Sequence, residues 1–163
     1  MTKAEKLELI EAFEKAYGTV DSMIAGLSRQ DLAFVPPVKD AWSVNETLVH
    51  YLDADMSLWF RVRMSIAQPG FTVPVWDQEA WCAKLGYEGE DGLDFLAQTK
   101  VVRHKVGATL RRMADADWDG FWVRHPERGE VKLAKLLEIY RDHVAFHVPL
   151  IQRNLDALPG RRG

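Results

Sequence analysis

The chain has 163 residues, 47% of them hydrophobic, with 21 Lys and Arg against 24 Asp and Glu for a net charge of −3. That is one globular domain by length and composition, spanning residues 1–163, and the near balance of charge argues against a nucleic-acid partner, which usually demands a basic surplus or stripe. No apolar run approaches the ~20 residues of a membrane span, the opening MTKAEKLELIEAFEKA lacks a signal-peptide core, and a single cysteine, Cys82, excludes an intrachain disulfide. A soluble cytoplasmic protein without a membrane partner is expected.

The first helical pattern covers about Thr2 to Leu27, with Ile10, Phe13, Tyr17, Val20, Ile24 and Leu27 recurring at spacings of three and four. A loop, SRQDLAFVPPVKDAW, follows, in which Pro36 and Pro37 forbid a helix. The second helix opens at SVNE, where Ser43 and Glu46 can form a capping box, and runs to about Ala67 before QPG. An irregular segment with a short helix around Asp77 to Lys84 leads to the third helix, about Asp91 to Ala114, with Leu96, Val102, Val106, Leu110 and Met113 on one side. WDGFWVRHPERGEVKL then reads as a small β-hairpin turning at HPERG. The fourth helix runs from about Lys132 to Asp156, before LPGRRG frays. Without a repeat or domain boundary, these elements predict an all-α, four-helix bundle with a small hairpin before the last helix.

At ~100° per residue, Leu133, Leu136, Leu137, Ile139, Tyr140, Val144, Phe146, Leu150, Ile151 and Leu155 share one broad face of the fourth helix. His143 and His147 fall near its middle, one turn apart. Burying two unpaired imidazoles is costly. Either carboxylates or backbone groups satisfy them as core residues, or they bind one metal ion, as i,i+4 histidines can. No Glu follows the first His, so this is not the H-E-x-x-H pattern. A third ligand is available in His50, on a narrow strip of the second helix with Ser43, Thr47, Ala54, Ser57 and Arg61, between two apolar rows. Such a strip suits the wall of an internal cleft, and bundles build metal sites from facing helices. His104, on the outer side of the third helix, and His125, in the hairpin turn, are weaker candidates.

WSVNETLVHYLDAD, with Trp42, Ser43, Glu46 and His50, and HPERGEVKLAKLLEIYRDHVAFHVPLI, with its H-x-x-x-H, resemble the opening of the second helix and the closing segment of DinB-like proteins. The order and spacing agree over essentially the whole chain. The resemblance implies a four-helix bundle, often a homodimer, holding a divalent metal through His50, His143 and His147. It also brings in a family that includes bacillithiol transferases. Pro149 departs from the family pattern and predicts a kink just beyond His147.

A three-His set leaves a coordination position open, as catalytic sites do, and imidazole suits zinc or nickel. With no inward carboxylate evident as a base, the expected function is a thiol S-transferase: a small thiol, bound as thiolate, attacks an electrophilic substrate. A metal-dependent hydrolase and a non-catalytic metal- or ligand-binding stress protein are the alternatives. Asp53, one turn after His50, could orient that ring. Arg61 and Arg103 are candidates for binding an anionic group, against the plainer reading of surface arginines. Cys82 reads as a packing thiol, and Glu46 as part of the cap.

Overall fold

The computed structural model describes residues 1–160, so the last three residues of the LPGRRG segment lie outside it. Its elements in order are α1 (Lys3–Lys15), α2 (Gly18–Ile24), α3 (Arg29–Ala33), α4 (Val44–Ala67), α5 (Gln78–Leu85), α6 (Gly92–Arg112), the strands β1 (Trp122–His125) and β2 (Gly129–Lys132), and α7 (Leu133–Asp156). α1, α4, α6 and α7 form the expected four-helix bundle. α4 packs against α6 and α7, and α1 packs against the same two, so α1 and α4 lie diagonally across the bundle. No helix among the described residues is long and apolar enough to cross a membrane.

The predicted stripes meet in the middle. Phe13, Leu58, Leu110 and Leu137 belong to one buried cluster, and Tyr17, Leu48, Leu96 and Ile151 to a second. Each fully buried side chain of this size contributes ~1.5–3 kcal/mol relative to exposure. Phe146, expected on the buried face of α7, is instead 65% exposed. Leu158, in the segment expected to fray, is buried.

The first helix is not continuous to Leu27. It breaks at Ala16 and Tyr17 because the carbonyl of Phe13 accepts from Arg103 Nη1 (2.8 Å) and from the Ala16 amide in a tightened turn (3.4 Å). That carbonyl is the one a regular helix offers to Tyr17. The loop before α4 also carries a short helix, α3, started by a capping box of Ser28 and Asp31 and ended before Pro36.

The connection from α4 to α5 is more ordered than its sequence implies. Arg124 of β1 receives on its carbonyl the amide of Val73 (3.0 Å) and donates its own amide to Phe71 (2.9 Å), so the segment runs parallel beside the hairpin. β1 and β2 pair antiparallel from Trp122↔Lys132 to His125↔Gly129. Gly129, at φ +70, takes the left-handed conformation that closes the turn.

Pro149 does not interrupt α7, which stays helical to Asp156. Both Pro149 and Ala145 are exposed. The carbonyl that loses its N–H partner therefore belongs to a residue on the solvent side, where the lost bond costs least.

Candidate metal centre

Ser43 caps α4: its hydroxyl accepts from the Glu46 amide (3.1 Å), and the Glu46 carboxylate accepts from the Ser43 amide (2.6 Å). With the start of α4 fixed, His50 falls two turns in, 1% exposed and facing α7. There its Nε2 lies 3.0 Å from Nε2 of His143, which lies 3.1 Å from Nε2 of His147. All three ligand atoms fall within 4.8 Å of one another, a grouping that could hold a metal ion.

Beyond these Nε2 contacts, aromatic side chains pack around the rings. Nδ1 of His50 and Nδ1 of His143 are buried without a partner. Trp42 and Trp76 lie 5.2 and 5.5 Å from the His50 ring, and Tyr51 stands edge-on to His143 and His147 at 6.0 and 5.4 Å. Trp42 is itself held, since its Nε1 donates to Glu79 of α5 and its carbonyl accepts from Asn154 of α7.

Burial pushes all three imidazoles down, His50 to about 3, His143 to about 2 and His147 to about 4, with neighbouring histidines adding to the effect at the first two. The rings are neutral at physiological pH and keep a lone pair to donate. These contacts cannot both be good hydrogen bonds, because the shared Nε2 of His143 carries either one proton or one lone pair and so serves only one of its two neighbours. A divalent cation accepts all three lone pairs at once, and a three-imidazole set suits zinc and its first-row neighbours.

His50 and His143 open onto a cavity of about 320 Å³. Arg61 lines the same cavity, as the polar strip on α4 predicts. It is 9% exposed, with Nη1 donating to the Tyr140 hydroxyl (3.1 Å) and Nη2 to the Pro74 carbonyl (3.0 Å). His125, the weaker candidate expected in the hairpin turn, is 9% exposed and lines it too; its Nδ1 accepts from the Glu127 amide (3.2 Å). A turn motif alone cannot show this, because the parallel pairing beside β1 sets the direction of the hairpin. His147 borders a second cavity of about 210 Å³ with Trp42, Thr47 and Phe146, and Gln78 borders both.

Two expectations give way. Asp53 does not orient His50: its carboxylate accepts from the Tyr87 hydroxyl, and Nδ1 of His50 has no partner. Arg103 is no anion-binding residue. It is 0% exposed, ion-paired with Asp55 at 2.6 Å, bonded to the carbonyls of Phe13 and Tyr140, and stacked on Phe13 and Tyr17. Cys82 is buried, with Sγ 3.6 Å from Glu46, and burial followed by that carboxylate pushes its thiol up to about 12. The His104 side chain is 72% exposed, on the outer side as expected.

Comparison with known proteins agrees with this architecture. The family model described as the DinB superfamily matches residues 12–151. A protein of Oceanobacillus iheyensis, OB0782, named as a proposed metal-dependent hydrolase, is 22% identical over 107 residues, covering 66% of this chain but only 61% of that protein. YfiT of Bacillus subtilis, named likewise, is 22% identical over 151 residues, covering 91% of this chain and 83% of YfiT. The solved structure of YfiT, described as a probable metal-dependent hydrolase with an unusual four-helix bundle topology, matches with a TM-score of 0.83 at 20% identity, over 94% of this chain and 87% of that one.

Proposed function

The chain belongs to the DinB superfamily, and from that premise we propose that it is a divalent-metal enzyme, with zinc or nickel held by His50, His143 and His147, that joins a small thiol to a small electrophile. A bound ion of this kind would lower the pKa of a thiol or water beside it, supplying a nucleophile at neutral pH. The observation that favours a thiol is the lining of the larger cavity. Its one carboxylate is Glu127, which is exposed on the hairpin, so no buried carboxylate stands by to take a proton from water. A thiol, more acidic by several pKa units, needs less help. In the transfer a carbon–sulfur bond forms, the electrophile's leaving group departs with its electron pair, and the thiol proton passes to solvent.

The chain's own contribution is to hold and enclose. The three imidazoles stay neutral and converge, Trp42, Tyr51 and Trp76 fix their planes, and Val75 and Ile139 line the larger cavity with apolar surface. Elemental analysis of untagged protein is the primary test. Turnover of a chloro-aromatic with bacillithiol, abolished by chelator, supports the transferase; bound metal without turnover across several thiols and electrophiles leaves a metal- or ligand-binding protein. Hydrolysis is the second reading, favoured by the names of OB0782 and YfiT. Metal-dependent cleavage of esters or amides without added thiol would establish it. The homodimer implied by the resemblance belongs to the same proposal, and sedimentation of the full chain checks it.

A further inference from the structure

Arg61 is a buried cation without an anion. Among the described residues no carboxylate pairs with it, although it is 91% shielded from solvent by its 9% relative exposure. Removing a guanidinium from water costs several kcal/mol unless a counter-charge and hydrogen bonds repay it. Only two of its five N–H donors are used, both by neutral oxygens, and its Nε is buried and unpartnered. The same residue faces the cavity onto which His50 and His143 open. The buried Asp55 is paired with Arg103.

The rest of the lining defines what would complete the site. Val75, Trp76, Val131, Leu136 and Ile139 make an apolar wall. His125 lines the same cavity, and burial first, then the Arg61 guanidinium, disfavours its protonation. With its Nδ1 occupied as an acceptor, neutral His125 carries its proton on Nε2 as a further donor. Glu127 and Arg128 also line the cavity, are exposed, and offset each other in charge. The buried balance is one positive charge.

We infer that this cavity is a subsite for a small organic carboxylate, whose anionic oxygens are received by Arg61 and His125 while its apolar body lies along Trp76 and Ile139 toward His50. The inference rests on the proposed function for what lies at the far end of the ligand, but not for the anion site itself.

Calorimetric titration of chelator-treated protein with benzoate and with its neutral counterpart benzamide tests it. Benzoate binds the metal-free wild type at least about tenfold more tightly than benzamide, since a charge-assisted hydrogen bond is stronger than one between neutral groups. R61Q abolishes the preference, and R61K, which keeps the charge without the fork, retains part of it. Equal affinity of wild type for the two ligands, or an undiminished preference in R61Q, overturns the inference. Should R61Q not fold, wild type and R61K decide, a preference unchanged or absent in both counting against it. Elemental analysis of the same preparation before chelation separates the two claims: a protein that holds no metal yet prefers benzoate keeps the anion subsite and loses the metal enzyme, and the reverse result does the opposite.

Discussion

Nε2 of His50 and Nε2 of His143 come to 3.0 Å across the seam between α4 and α7, although 93 residues separate them. With His147 one turn further along α7, replacing any one of the three removes a donor that no other described histidine occupies. H50A, H143A and H147A should each lower zinc or nickel affinity by ~100-fold or more, above the 10–100-fold typical of residues that merely support a ligand. Competition titration against a chromogenic chelator reads this directly. Undiminished affinity in all three variants would rule the site out.

Acid should weaken the metal-free protein steeply. Each imidazole has a folded pKa of about 2 to 4, against ~6.5 unfolded, so below the unfolded value the unfolded chain binds more protons. Stability is therefore undiminished above ~pH 6.5 and falls as pH drops toward 4, at about 1.4 kcal/mol per pH unit for each protonating group. Urea unfolding in chelator at pH 7, 6 and 5 measures the slope. Replacing the three histidines by Gln should flatten it. A slope unchanged by that replacement would assign the acid sensitivity elsewhere.

Asp55 and Arg103 are both fully buried and bonded to each other by two contacts. D55N leaves the guanidinium unpaired in the core and should cost about 3–5 kcal/mol in denaturant unfolding. The double variant D55L/R103M should recover much of this, because removing both charges removes the desolvation penalty with the attraction. A double variant no more stable than D55N would show that Arg103 matters chiefly for the carbonyls of Phe13 and Tyr140.

Cys82 should be inert as a nucleophile. Burial and the neighbouring Glu46 hold its thiol up to about 12, and it is 6% exposed. At pH 8 an aromatic disulfide reagent should modify it ~100-fold more slowly than free cysteine, with the rate recovering in urea. C82A should keep its metal content and any thiol-transfer activity. Loss of transfer in a folded, metal-replete C82A would make Cys82 a participant.

What could be read from the chain before its structure follows from how local each signal is. The Ser43–Glu46 cap needs four residues, and the placing of His143 and His147 on one face needs only helical periodicity. The break at Tyr17 was hidden because its cause, Arg103, lies 90 residues from the Phe13 carbonyl it takes. Arg103 itself looked like a candidate ligand for anions because its partner, Asp55, sits on another helix and nothing in either neighbourhood announces the pair. His125 reads only as a weaker candidate for a similar reason. Its direction depends on the segment of residues 70–73 pairing beside β1, a contact between two stretches that read separately as loop and turn.

The three clustered histidine nitrogens and much of the cavity's lining come from different pieces of the chain. The first lie on α4 and α7, whereas His125, Glu127, Arg128 and Val131 reach the cavity from the hairpin. Glu127 and Arg128 are exposed at a turn, where substitutions cost little stability. On the proposed function, reactivity and selectivity would therefore be separable: substitutions at a few turn positions should change which ligands the cavity takes while leaving the histidine cluster as it is.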